Sequence, residues 1–115
     1  MNTVQLNELL SKKCDVPIQS VKNYSFNTNK LPFLKLRDII ISQLGTILYE
    51  DTCNQAYIAA IRGGFLNKNT AMVAFHLLEN QLNIAAYARE GIINQHTSED
   101  VIHEIQKVLQ LYITE

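Results

Sequence analysis

The chain has 115 residues, 47% of them apolar and 18% charged, with a formal net charge of −1. That is the size and balance of one globular domain with a core of its own. Two cysteines, Cys14 and Cys53, without Cys-x-x-Cys or Cys/His ligand spacing argue against a structural zinc site and a disulfide framework, and no apolar run has signal-peptide or membrane-spanning length. A cytoplasmic protein with no membrane partner is expected.

Charge is unevenly spread. Residues 1–37 hold six cations (Lys12, Lys13, Lys22, Lys30, Lys35, Arg37) against Glu8 and Asp15, a balance of +4. Residues 38–115 hold four cations against nine acids, a balance of −5. Either the two halves attract each other within one fold, or the first half offers a basic face to an anionic partner. Between Thr52 and Ala88 the only charges are Arg62, Lys68 and Glu79. So charge-poor a stretch is enclosed, by its own fold or by a second copy.

Along the chain, Thr3 to Lys13 reads as a first helix with Leu6, Leu9, Leu10 and Cys14 as its stripe and Asn2 or Thr3 as its cap. Asp15-Val16-Pro17 breaks the pattern, and Pro17 suits the first turn of a short second helix over residues 17–24. Residues 24–32 read as a loop. Residues 33–49 are ambiguous. Phe33, Leu36, Ile40, Leu44, Ile47 and Leu48 make a helical stripe, while Ile39-Ile40-Ile41 and Ile47-Leu48-Tyr49 would serve equally as hairpin strands around Gly45. The helix is the preferred reading. Thr52-x-x-Gln55 resembles a capping box opening a helix that stops at Gly63-Gly64.

Residues 69–90 then contain no Gly or Pro, with apolar residues at 71, 74, 75, 78, 82, 85 and 86. This spacing predicts a helix about 30 Å long with a wide buried face. A last helix over residues 98–113 starts at Thr97 or Ser98 with Glu99 and Asp100 in its first turn. The expected fold is all-α: one domain of five or six helices around the long central helix at about 69–90. It divides into a basic N-terminal helix pair and loop (1–31) and a helical core (32–113).

One internal echo stands out. Arg62-Gly63-Gly64-Phe65-Leu66-Asn67-Lys68-Asn69-Thr70 aligns without a gap on Arg89-Glu90-Gly91-Ile92-Ile93-Asn94-Gln95-His96-Thr97. As helix stops followed by new caps, the copies predict two similar helix–loop–helix connections. Arg62 with Gly63-Gly64 could otherwise form an anion-binding nest.

Residues 6–24 have helix–turn–helix spacing. Leu10, Cys14, Val16, Val21 and Tyr24 would pack the pair, and Ser11 is small at the crossing. Lys12, Lys13, Gln19, Ser20, Lys22 and Asn23 are then the candidate contacts to duplex DNA. Packing within the fold is the competing reading. His96, Glu99 and His103 share a helical face that would suit a metal, though His96 precedes the cap. Arg89 and His96 together resemble the Arg-x(4–6)-His element of the helical nuclease family called HEPN, which implies ribonuclease activity at those two residues. No nucleophile–base pair or nucleotide loop stands out. The expectation is a non-enzymatic protein, without metal or cofactor, acting by protein–protein interaction or as a homodimer, with helix–turn–helix DNA binding as the alternative.

Overall fold

The apolar run at residues 69–90 decides the architecture, because it can satisfy its backbone as one rod or as two paired strands. In the computed structural model, which describes residues 1–63, 69–90 and 96–114, it forms strands. They are β4 (Thr70–Leu78) and β5 (Gln81–Ala88), antiparallel, with Leu78 opposite Gln81 across the two-residue turn Glu79-Asn80. Glu79 takes a left-handed φ of 54°, a conformation more usual for Gly or Asn. The expected central helix is therefore absent, and with it the all-α bundle and the helical core at 32–113. The fold is mixed α/β: among the described residues, a six-stranded antiparallel sheet with three short α-helices.

In chain order the elements are α1 (Thr3–Cys14), a 3₁₀ turn at Ile18–Ser20, β1 (Lys22–Thr28), α2 (Phe33–Ile39) and a π-helical turn at Ile40–Leu44. Then follow β2 (Gly45–Asp51), β3 (Ala56–Arg62), β4, β5, α3 (Thr97–Val108) and β6 (Ile113–Thr114). The sheet order is β2-β3-β4-β5-β1-β6.

Local chemistry explains each departure from the helical reading. The expected second helix shrinks to the 3₁₀ turn, since Asn23-Tyr24-Ser25-Phe26-Asn27 alternates polar and aromatic with the period of a strand. Residues 33–49 divide between both readings, helical up to Leu44 and extended from Gly45. The supposed capping box is a tight turn: Gln55 N–H donates to Thr52 O at 3.3 Å, and Asn54 N–H to the Asp51 carboxylate at 3.1 Å. Helix α1 forms with its capping box, Asn2 accepting from Gln5 N–H and Gln5 accepting from Asn2 N–H. It ends where Asp15, at φ 54°, and Val16 both donate their N–H to Ser11 O.

Alternation along β3, β4 and β5 sends side chains to two covered faces. On one face α1 seats Leu6 and Leu10 on Ile58, Ala74 and Ala85. Ala74 lies opposite both Ile58 and Ala85, so the helix settles on a flat patch of small side chains. On the other face α2 and α3 cover Tyr57, Ala59, Ile61, Val73, Phe75, Ile84 and Ala86. The Tyr57 ring stacks on Phe33 with centroids 4.1 Å apart and planes 6° from parallel. Its hydroxyl donates to Phe33 O at 2.9 Å. Burial pushes the Tyr57 hydroxyl up to about 12, with the nearby Glu50 charge adding to it.

Two predictions follow from this packing. A Cβ at Gly45 would lie 2.0 Å from Ala60 O and 3.2 Å from Ile61 Cα. Because those are backbone atoms, Gly45→Ala should part β2 from β3 and cost about 1–3 kcal/mol or more, read as a lower urea midpoint. His76 faces the α1 side in one row with Ala56 and Asn83, only 3% exposed. Burial lowers its pKa, and the positive chain terminus lowers it further. The unfolded chain therefore binds the proton more tightly than the folded one. Stability should be fullest above about pH 6.5 and fall as the pH drops from there toward the depressed folded value. Melting temperatures measured across that window should fall in the wild type and stay flatter in His76→Gln.

Candidate functional site

The residues expected to contact DNA do not share a face. Lys12 and Lys13 lie on the last turn of α1, Gln19 and Ser20 on the 3₁₀ turn, and Lys22 and Asn23 at the start of β1. Without a second helix, the helix–turn–helix geometry is not formed. Register places Asn23 beside Ala85 on the α1 side, where its amide exchanges hydrogen bonds with Asn7 at 3.0 and 2.7 Å. Lys22, one residue earlier, points to the opposite face and pairs with Glu99 of α3 at 2.5 Å. That contact raises the Lys22 pKa and lowers that of Glu99. Lys13 lies over the Tyr49 ring, its ammonium 4.5 Å from the centroid. The basic N-terminal half is thus partly spent on internal contacts: Arg37 Nε, on α2, also donates to Glu50 of β2 at 2.7 Å.

The Arg89 and His96 pair fares differently from its helical expectation. Arg89 follows the last residue of β5, and His96 occupies the N-cap position of α3 in a left-handed conformation. No helix carries both, and residues 91–95 between them lie outside the described residues. The HEPN resemblance implied an all-helical setting, which this sheet does not supply. His96 and His103 likewise fall on a cap and on an exposed helical position, and among the described residues no three His, Cys, Asp or Glu side chains converge. The nest suggested at Arg62, Gly63 and Gly64 extends into residues 64–68, also outside the described residues.

Structure adds two surfaces that periodicity did not show. The first follows from unequal lengths. Twelve residues of α1 reach about 18 Å along the sheet, whereas nine residues of β4 run about 30 Å. Beyond the helix C-terminus part of its face stays open as a groove of about 380 Å³, lined by Cys14, Asp15, Val16, Pro17, Thr70, Met72, Tyr87 and Arg89. Arg62 pairs with Thr70 across β3 and β4, and the register that sets Ala71 opposite Ala88 brings Arg89 to the other side of Thr70. The arginines of the two echo copies therefore leave the sheet at the same end. Both are exposed, and among the described residues neither is in an ion pair. Burial pushes the Cys14 thiol up, which disfavours the reactive thiolate.

The second surface is the opposite margin of the sheet. β2 is an edge strand, unpaired on its outer side among the described residues. Its register shifts between Ile47 and Tyr49, leaving Leu48 as the extra residue of a bulge, 52% exposed. Leu34, 70% exposed, and Ile41, 50% exposed, stand seven residues apart on the helical segment that precedes β2. The sequence signal for this surface was present in Leu34 and Ile41, which fall outside the buried stripe, but the long-helix reading hid the strand beside them.

A second hollow of about 390 Å³ near the N-terminus of α1 is lined by Cys53, Gln55, His76 and Glu79 among others. No hydrogen bond joins Cys53 to His76. Cys14 and Cys53 are both free thiols, at opposite ends of the sheet. Among the described residues no helix is long and apolar enough to cross a membrane. No family model matches the chain, and no curated protein matches it either.

Proposed function

We propose that the chain is a non-enzymatic module that works by protein–protein contact, and that its β2 margin is where a second copy docks. The observation that carries this reading is the seven-residue edge strand, unpaired on its outer side among the described residues and bearing exposed Leu48, with Leu34 and Ile41 exposed on the helical segment that leads into it. Exposed edges with apolar side chains recruit partners unless something covers them. Antiparallel pairing of β2 with its own copy about Leu48 sets Glu50 against Thr46 and Asp51 against Gly45, so no like charges meet. Each Glu50 is already held by Arg37 of its own chain. The bulge interrupts a continuous ladder, which puts more of the contact on the Leu48, Leu34 and Ile41 side chains.

The non-enzymatic part of the reading is supported by the two thiols, Cys14 and Cys53, which lie at opposite ends of the sheet. A cytoplasmic setting is supported by the two free thiols, which a reducing compartment preserves. Sedimentation across a hundredfold concentration range should show a monomer–dimer equilibrium. Leu48→Lys and Leu34→Asp, both at exposed positions, should abolish the dimer with little change in melting temperature. A wild-type chain that stays monomeric throughout that range refutes the proposal.

A further inference from the structure

The groove at the end of α1 is built differently from the β2 margin. Its floor is formed by Met72 and Tyr87 from the sheet, and Val16 and Pro17 from the segment leaving α1 form an apolar wall. Its surroundings are cationic. Arg62 and Arg89 flank Thr70, and Lys12 stands on the last turn of the adjoining helix, whereas its neighbour Lys13 is held over Tyr49. Against these three cations the groove sets, among the described residues that line it, the exposed Asp15 and the electronegative helix terminus.

We infer that this groove docks an acidic segment of a partner protein, with carboxylates at Arg62 and Arg89 and an apolar side chain between them on Met72 and Tyr87. The inference rests on the reading of the chain as a protein-interaction module but uses a separate surface. Two features select a peptide over a nucleic acid. The whole chain carries a net charge of −1, which gives no long-range pull on a polyphosphate. The floor and its apolar wall suit a side chain, and guanidinium forks suit carboxylates in two-point contact.

Spacing narrows the ligand further. Arg62 ends β3 and Arg89 directly follows β5, the strands on either side of β4, so their Cα atoms are about 10 Å apart at ordinary strand spacing. That span equals about three residues of extended chain. The fitting segment therefore presents two carboxylates that reach both guanidinium groups, with a leucine or phenylalanine between them.

Fluorescence anisotropy at low salt tests this with a fluorescein-labelled peptide of that pattern, two glutamates flanking a phenylalanine. The same peptide with glutamines and an oligothymidylate serve as comparisons. The glutamate peptide should bind saturably, and the glutamine peptide at least tenfold more weakly. Arg62→Glu with Arg89→Glu should weaken the glutamate peptide about tenfold, while Arg62→Lys with Arg89→Lys should lose less. Lys107→Glu, on α3 across the sheet, should leave binding unchanged. Three results overturn the inference: no saturable binding of the glutamate peptide, an equal loss from Lys107→Glu, or oligothymidylate binding as tightly as the peptide. Leu34→Asp and Leu48→Lys should bind the peptide as the wild type does. A monomeric chain that binds it therefore loses only the self-association reading, and a dimeric chain that does not bind it loses only this one.

Discussion

Everything in the fold depends on the three middle strands being covered on both sides at once. A sheet with one wet face shows clean alternation, because every second side chain must be polar. β3, β4 and β5 have no wet face over most of their length: β3 runs buried from Ala56 to Ala59, and β4 from Val73 to Leu77. Their side chains must therefore be apolar at nearly every position, and small wherever a helix comes close. Alanines at 74 and 85 let Leu6 and Leu10 reach the sheet, while Ala59 and Ala86 make room on the side where Tyr57, Phe75 and Ile84 supply the bulk. The low charge between Thr52 and Ala88 has the same origin. Among the described residues it is the chain's own helices that enclose this region.

That double burial is also why the sequence misleads. A strand buried on both faces and a buried helix write the same apolar composition, and periodicity alone does not separate them. Apolar positions at 71, 74, 75, 78, 82, 85 and 86 satisfy a helical wheel by coincidence, helped by alanine, which favours helices more than strands. The signal that would have divided the run is a turn at its middle. Glu79-Asn80 provides one without the Asn-Gly or Asp-Gly pair that usually announces a hairpin. Helices with solvent on one side were legible. α1 shows its Asn2 cap and its Leu6 and Leu10 stripe, and α3 shows Glu99 and Asp100 in its first turn, because exposed helices must display caps and alternation that a buried strand need not.

The charge pattern was legible in part. Of the two readings offered for the basic first half and acidic remainder, internal attraction accounts for Lys22 with Glu99 and Arg37 with Glu50, both of which cross that division. These are exposed pairs and contribute little to stability individually. Their effect is on which cations remain available. The arginine echo had a physical basis of another kind than helix termination. Arg62 and Arg89 mark two strands leaving the sheet at the same end, and antiparallel order brings them to either side of β4. A repeat read along the chain as a connection thus becomes, across the sheet, a pair of side chains at fixed separation.

Helix length then sets what each surface can do. Had α1 run as far as β4, its body would fill the space over Met72 and Tyr87, and Arg62 and Arg89 would border a closed face. Ser11 stops it short, accepting the N–H groups of Asp15 and Val16 at its carbonyl while its hydroxyl donates to Val16 O at 2.6 Å. These bonds fix the direction in which the chain leaves the helix, and so the wall that Val16 and Pro17 give the groove. The edge strand β2 stands at the far margin of the sheet, separated from β4 by β3. A partner at one surface need not displace a partner at the other, because no side chain lining the groove belongs to β2 or α2. Coupling between the two, where it occurs, has to pass through β3, whose Arg62 flanks the groove and whose Ala60 backbone meets Gly45 of β2.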